Sequence, residues 1–392
     1  MKNRPLRIIM AAACPFPTSQ GSQILIRSVS EALEKSGHEV RIVSYHHSEP
    51  HIACDLPVHR IINIPTYRKL RAGPAFQKPV LDLMLAAKLY RVVMRYGADI
   101  IHAQNYEALV AGLLVRGLCN VPVLFHSHAV LTEELHRYFT SRWIRTISRA
   151  TAQTIDNLLP AAADGCIASS VEDAAFYVSK GARSERVSVV PPPFFEEEFE
   201  ADHEAGHDAG ATDRRPPTVV YAGNLDPYQD LEVLFHAFKK VSALISDARL
   251  IILSRSDFRQ YRNLAGKLGI AERCRFVEEN GFKTTLVQLA RSSVAVCTRT
   301  SSSGFPIKLL NYMGAGCPIV ASEGSAKDIR HLHDGYIVRN GSAEELGRAI
   351  VTLIRNRGLA DKLGSNARRT ASDRYSWTRI ARDIEDIYER IL

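Results

Sequence analysis

Residues 297–322 read CTRTSSSGFPIKLLNYMGAGCPIVAS, and the fold follows from how this stretch is parsed. The apolar run Val294-Ala295-Val296 leads in as a short buried strand. Ser301-Ser302-Ser303-Gly304 is a loop of small side chains with backbone N–H groups to spare. Pro306 suits the first turn of a helix, where its missing N–H costs nothing. Gly316 supplies the left-handed stop, and Pro318-Ile319-Val320-Ala321 starts the next strand. A small-residue loop feeding a helix start is an anion site, because free N–H groups and the positive end of the helix dipole both face the loop. Lys308 adds a formal charge in the first turn. A cation there opposes the dipole, so an anionic ligand accounts for it better than stability does. Taken alone, the stretch is equally consistent with an ordinary βα turn carrying a solvated lysine.

The run GFPIKLLNYMGAGCPIVAS resembles the signature of the family-4 retaining glycosyltransferases, which have the GT-B fold. That signature reads E-G-F-G-x-P-x-x-E-A-M-A-x-G-x-P-V-V-A-S. Gly304, Phe305, Met313, Gly316, Pro318 and Val320 fall on it without gaps. Its first glutamate, which in the family holds donor-sugar hydroxyls, falls on Ser303. Its second, which holds the ribose, falls on Asn311, whose amide can still bond a diol. The wording K-L-L-N-Y-M is similar to a known subgroup of the family.

Bulk composition agrees with an α/β chain of two ordinary domains: 392 residues, of which 46% are apolar. The seven cysteines are scattered, with no C-x-x-C pair and no zinc spacing, which fits reduced thiols in a cytoplasm. Met1-Lys2-Asn3-Arg4 runs straight into a strand, so no signal peptide is expected. Asp82 and Lys88 interrupt the best candidate membrane span. The net charge of +8 asks for an anionic partner without choosing among nucleotide, lipid headgroup and nucleic acid.

In the N-terminal half, residues 6–13 form an apolar strand, followed by a loop through Gly21, a helix over 22–36 and a strand over 39–45. The loop is not G-x-G-x-x-G, so dinucleotide binding is disfavoured. The family often has Gly-Gly at this junction. Gln20-Gly21 keeps the second glycine, and the resemblance places Gly21 and Ser22 beside the acceptor and the reacting bond. His46, His47 and His51 read as an exposed loop without metal geometry. Strands are expected over 99–103 and 121–125. The segment IIHAQNYEA resembles the family and makes Asn105 a substrate-binding candidate. His126-Ser127-His128 closes the second of these strands, at the edge where open α/β sheets bind ligands. In the family a histidine here contacts the donor sugar near the reacting carbon. His126 is the first candidate and His128 the alternative. Glu133 and Glu134 read as helix-start carboxylates. The segment 67–96, with Arg68, Lys69, Arg71, Lys78, Lys88, Arg91 and Arg95 among apolar residues, resembles a membrane-facing stripe. So does a helix over 133–149, with Tyr138, Phe139, Arg142, Trp143, Arg145 and Arg149. Core-facing helices with solvated charges remain the competing reading. Strands over 163–169 and 187–190 complete the half, and 196–216 is acidic and low in apolar residues, a solvated linker.

The second half restarts with a strand over 218–222 and the loop Gly223-Asn224-Leu225-Asp226-Pro227-Tyr228-Gln229. In the family this loop reads G-R-L-x-x-x-K, and its Arg and Lys grip the donor diphosphate. Asn224 and Gln229 replace them here. Lys308, Arg255 and Arg299 are the possible substitutes. Strands over 250–253 and 275–277 follow, then a short helix over 283–290; the resemblance places Glu279, Asn280 and Phe282 near the base. The last helix, 378–392, is expected to cross back to the first domain, as is typical of the fold.

These observations imply an α/β chain with the GT-B fold: two Rossmann-like domains facing a cleft, with the C-terminal helix crossing back to the N-terminal domain. The divisions are 1–195 for the acceptor domain, 196–216 for the linker, 217–374 for the nucleotide-sugar domain and 375–392 for the crossing helix. The implied activity is metal-independent, retaining transfer from a nucleoside-diphosphate sugar, UDP or GDP first, to a lipid-linked or polysaccharide acceptor, cytoplasmic and in peripheral contact with anionic membrane. No cofactor is expected, and no metal, since there is no Asp-x-Asp. His126 and Lys308 carry the chemistry. Gly21, Ser22, Asn105, His128, Gly223, Asn224, Arg255, Arg299, Ser303, Gly304, Phe305, Pro306 and Asn311 bind substrate. Two alternatives stand beside this: a catalytically silent GT-B protein that binds a nucleotide or partner, and a GT-B sugar-nucleotide epimerase. A nucleic-acid partner is disfavoured, because the basic residues are spread over separate helices.

Overall fold

Parallel strands buried on both faces need near-continuous apolar runs, and the chain supplies them in two sets. The computed structural model describes residues 4–50, 52–70, 73, 75–199, 216–279 and 281–392. It forms two compact units. One comprises Met1–Pro193, Ser303–Phe305 and Trp377–Leu392; the other comprises Phe194–Ser302 and Pro306–Ser376.

In the first unit β1 (Arg7–Ala12), β2 (Glu39–Ser44), β3 (Val58–Arg60), β4 (Ile100–Gln104), β5 (Val123–Ser127), β6 (Gly165–Ala168) and β7 (Val187–Val189) pair in parallel, in the order β3-β2-β1-β4-β5-β6-β7. The order reverses between β1 and β4. Such a switch point opens a crevice at the carboxyl ends of the strands, where ligands bind. One face is packed by the helices Lys78–Tyr96 and Asn105–Cys119 through Leu81, Leu85, Leu89, Leu109 and Val115. The helix Trp377–Ile391 belongs to this unit and lies beside the helix Gly21–Lys35. It packs closely because β6 opens with glycine: a Cβ on Gly165 would come within 2.6 Å of the Ile391 side chain.

The second unit repeats the plan. Strands β8 (Thr218–Ala222), β9 (Arg249–Ser254), β10 (Cys274–Glu278), β11 (Val294–Cys297), β12 (Ile319–Ser322) and β13 (Tyr336–Val338) are parallel, in the order β10-β9-β8-β11-β12-β13. The switch point lies between β8 and β11. The helix Ile307–Gly314 links β11 to β12, with Pro306 just ahead of it as the N-cap rather than inside its first turn. Gly316 takes φ 64°, the left-handed conformation that glycine adopts without a Cβ penalty.

Several expectations change. The continuous helix over 133–149 is broken: a short helix Leu131–Glu134 and a 3-10 turn Leu135–Tyr138 precede the helix Arg142–Ala162. Phe139 is extended between them, so Tyr138 and Phe139 leave the basic stripe. Buried Asp156, on the following helix, holds the start of the short helix by accepting the Thr132 N–H and hydroxyl at 2.8 and 2.6 Å. His46 and His47 are half-buried rather than exposed, with rings 3.9 Å apart and both Nε2 atoms on the Tyr67 carbonyl. Of the linker expected from 196 on, Glu196, Glu197 and Glu198 are exposed but Phe199 is buried. Phe194, Phe195 and Phe199 are buried in the second unit, the Phe194 and Phe199 rings lie 4.9 Å apart, and Gly314 makes room for them. The remainder of the linker, 200–215, together with His51, Arg71 and Asn280, lies outside the described residues. Among the described residues no helix is long and apolar enough to cross a membrane.

Candidate active site

The switch point of the second unit carries the loop that follows β8. Gly223 takes φ 146°, and a Cβ there would come within 2.9 Å of both Cε and Nζ of Lys308. Only glycine lets that ammonium approach the backbone. Lys308 reaches the loop from the first turn of the helix Ile307–Gly314 and donates to Tyr221 Oη at 2.5 Å and to Gln229 Oε1 at 2.8 Å. Its Nζ also lies 4.2 Å from the centre of the Tyr221 ring. Gln229 in turn donates to Asn224 Oδ1 at 2.8 Å, and Asn224 donates to Tyr228 Oη at 2.9 Å. Thr298, just past β11, closes the arrangement by donating to the Gln229 carbonyl at 2.7 Å. Asn224, Gln229 and Lys308, separated by up to 84 positions in sequence, thus form one hydrogen-bonded chain at the crevice. Burial of the ammonium pushes Lys308 down to about 8, and the charge of Arg299 acts in the same direction.

The other candidate cations divide. Arg299 is buried and lies over the Tyr228 ring at 5.6 Å, beside the same loop. Arg255 is turned to the Glu279 carbonyl at 2.9 Å, at the end of β10 rather than at the switch point. Phe282 spends its ring against Phe199, 5.5 Å away. Asn311 is half-buried on the helix Ile307–Gly314, and its side-chain amide has no protein partner among the described residues.

In the first unit β4 and β5 end in a polar cluster. Register pairs Gln104 with His126, which places His102, Gln104 and His126 on one face of the sheet. His128 Nε2 lies 2.7 Å from Gln104 Oε1, and its Nδ1 lies 3.2 Å from Asn105 Nδ2. The amide oxygen needs a donor and the amide nitrogen an acceptor, so both nitrogens of His128 are committed within the protein. Asn105 adopts φ 68°, a conformation asparagine tolerates, and its Oδ1 also accepts the His128 N–H at 3.2 Å. His126 differs: its Nε2 is buried and has no partner among the described residues. Burial lowers all three imidazoles, His102 and His128 to about 3 and His126 well below its ordinary value. They are neutral at pH 7. Of the two histidines the sequence offered for sugar contact, His126 is the one with a ring nitrogen left unpartnered among the described residues.

Gly21 and Ser22 open the helix Gly21–Lys35 after Gln20, as a plain helix start. Ser303, Gly304 and Phe305 cluster with the first unit. Ser303 Oγ accepts the Val130 N–H at 2.6 Å, and the Gly304 N–H donates to Asp173 at 2.7 Å. Gly304 takes φ 70°, with the His128 carbonyl where a Cβ would stand. The serine in place of glutamate is therefore engaged with the backbone. No group of three or more His, Cys, Asp or Glu side chains among the described residues could hold a metal ion. Tyr221 and His102, both part of these arrangements, were not singled out in the sequence, since each sits within a strand.

Two family models match, one to each half: "Glycosyl transferase 4-like domain" over residues 20–193 and "Glycosyl transferases group 1" over residues 202–370. The phosphatidyl-myo-inositol mannosyltransferase of Mycobacterium leprae is 30% identical over 177 residues, 44% of this chain and 46% of that protein. The enzyme of the same name from Mycobacterium tuberculosis (strain H37Rv) is 24% identical over 98% of this chain and 97% of its own length. Among solved structures, Anabaena Alr3699/HepE in complex with UDP and glucose superposes with a TM-score of 0.76, at 18% identity, over 98% of this chain and 99% of that one. Two parallel sheets with matching switch points and family models spanning both halves lead to one conclusion: the chain belongs to the family-4 glycosyltransferases with the GT-B fold.

Proposed function

We propose that this protein moves a sugar from a nucleoside-diphosphate sugar, UDP- or GDP-linked, to a lipid-linked or polysaccharide acceptor with retention of anomeric configuration and without a metal. The observation that carries the reading is the placement of Lys308. The family's diphosphate-gripping Arg and Lys are Asn224 and Gln229 here, and the Lys308 ammonium stands on Gln229 itself. A cation has been returned to the loop from another element. Breaking the anomeric carbon–phosphate bond builds negative charge on the leaving diphosphate. Lys308 and the positive end of its helix would stabilise that charge. Asn311 would hold the ribose, and His126 Nε2 a sugar oxygen. As in the family, the diphosphate would take the acceptor proton, since no side chain stands out as a covalent nucleophile. The UDP complex of the structural neighbour and the lipid named in the mycobacterial relatives support the donor and acceptor classes.

A peripheral membrane contact is part of the proposal. On the helix Arg142–Ala162, Trp143 is 80% and Ile147 65% exposed, among Arg142, Arg145 and Arg149. Apolar side chains edged with cations fit an anionic bilayer. Flotation with anionic vesicles that persists undiminished in the double variant Trp143→Ala, Ile147→Ala would remove this part.

The function is tested by a screen of the purified protein against UDP-, GDP- and ADP-sugars in EDTA, following thermal stability and release of nucleoside diphosphate. Binding to the folded state raises its stability by mass action. Stabilisation by one donor with metal-free turnover is expected. A protein that no donor stabilises would be a silent GT-B protein, and interconversion of sugar nucleotides without an acceptor would make it an epimerase.

A further inference from the structure

A buried polar chain in the first unit connects the last helix of the protein to the end of β5. Tyr388, fully buried on the helix Trp377–Ile391, places its hydroxyl 2.7 Å from His102 Nδ1 in β4. His102 Nε2 lies 3.1 Å from His126 Nδ1, and His126 Nε2 ends the chain without a partner among the described residues. The two imidazoles stack, with centres 5.2 Å apart and planes 18° apart, and the Tyr388 ring stands edge-on to His102 at 88°. Both histidines are fully buried as well.

The direction of these hydrogen bonds is set by counting hydrogens. A neutral imidazole has one N–H and one bare nitrogen. The Tyr388 hydroxyl carries one hydrogen, and His102 Nδ1 is its one hydrogen-bond partner among the described residues. Either order leaves one buried donor unmade among the described residues: with His102 Nδ1–H donating it is the phenolic hydrogen, inside the packing of the last helix, and with the hydroxyl donating it is His126 Nε2–H, at the carboxyl edge of the sheet where a bound ligand can accept it. So the hydroxyl donates, His102 Nδ1 accepts, and the hydrogen of His102 lies on Nε2. That Nε2–H donates to His126 Nδ1, which leaves the hydrogen of His126 on Nε2.

We propose that Tyr388 and His102 are positioning residues that fix His126 as its Nε2–H tautomer, so that it offers a hydrogen-bond donor to an oxygen of the donor sugar. The substrate half of this statement rests on the proposed function; the tautomer half does not. His126 then acts as a neutral donor, not as an acid or base. The last helix contributes a hydroxyl to the active site through two rings, beyond its packing against the sheet. The reverse order of hydrogens would leave a bare nitrogen at the same place and select a hydroxyl hydrogen of the ligand instead of an oxygen lone pair.

The test is nitrogen-15 NMR of histidine-labelled protein, in which the two ring nitrogens report which one bears the hydrogen. His102→Gln and His126→Gln serve only to assign the signals. In the wild-type protein both rings are expected as Nε2–H tautomers. Tyr388→Phe keeps the ring and removes the hydroxyl, and a mixture of tautomers is expected at His126. With the donor from the screen, that variant should lose about tenfold in kcat, the worth of one neutral hydrogen bond, with KM for the donor within about twofold. A wild-type His126 with its hydrogen on Nδ1 would overturn the proposal. So would an unchanged tautomer in a folded Tyr388→Phe protein. The wild-type spectrum decides the direction even if the variant does not fold. It also decides when no donor is turned over, an outcome that counts against the proposed function alone.

Discussion

Replacing Lys308 with methionine separates binding from stability, because the same ammonium is expected to help one and cost the other. Its ordinary value of 10.5 is pushed down to about 8, mainly by burial, and that difference amounts to about 3 kcal/mol of folding free energy set against the charged form. Methionine keeps a long stem and removes the charge. It also leaves Gln229 Oε1 without its donor, a loss of about 1–2 kcal/mol. The net expectation near pH 7 is a variant more stable than wild type by about 1 kcal/mol. The pH dependence has a definite sign. Between about 8 and 10.5 the unfolded chain holds the lysine proton more firmly than the folded one. Wild-type stability therefore rises with pH across that window, and the advantage of the variant fades. Binding moves the other way. A charge-assisted contact to a diphosphate contributes about 1.5–3 kcal/mol, so affinity for the nucleoside diphosphate should fall about 10- to 150-fold. In wild type the same affinity should decline as pH rises through about 8, where the free ammonium loses its proton. Urea unfolding at pH 7 and 9.5, with calorimetric titration of UDP and GDP, measures both. A destabilised variant that binds nucleotide as tightly as wild type would refute the reasoning, since Lys308 would then be a structural cation only.

Asn311→Ala removes an amide that has no partner among the described residues. The donor KM should rise about fivefold to tenfold with little change in melting temperature; an unchanged KM would exclude the ribose contact. Gly223→Ala places a methyl where Lys308 Cε and Nζ stand and strains a backbone at φ 146°, so donor-induced thermal stabilisation should disappear. Retained stabilisation would mean that the ligand does not need the ammonium where it lies. The buried histidines predict acid sensitivity. With His102 and His128 near 3 in the folded protein and 6.5 as the ordinary value, the folded state binds fewer protons below 6.5. Their contribution is full above that pH and is lost as pH falls, by about 1.4 kcal/mol per pH unit for each ring. His126 adds in the same direction. Urea midpoints at pH 7 and 5 should differ by about 4 kcal/mol in unfolding free energy from the first two rings, and a difference under about 1 kcal/mol would show that the rings are not held neutral.

The sequence by itself determined the two parallel sheets, the helix starts after them and the family. Apolar runs such as RIIMAA and VLFHS, broken by Gly and Pro at fixed spacing, are local properties that survive in any context compatible with them. It also pointed to Lys308 as a cation out of place at a helix start. What it could not show was where that ammonium goes, since this depends on a φ of 146° at Gly223 and on a tyrosine in β8. The break at Phe139 was equally invisible, as was the link from Asp156 to Thr132, which joins residues too far apart for the window in which a helix period is read. The same holds for the choice between His126 and His128. Both stand at one strand end, two positions apart, with identical side chains. Tertiary contacts alone decide that Gln104 and Asn105 consume one ring while Tyr388, 262 residues later, reaches the other through His102. Periodicity and turn chemistry act over a few residues, and they set the elements. Hydrogen-bond partners and desolvation act through space, and they set which of the candidate groups is left unpartnered among the described residues.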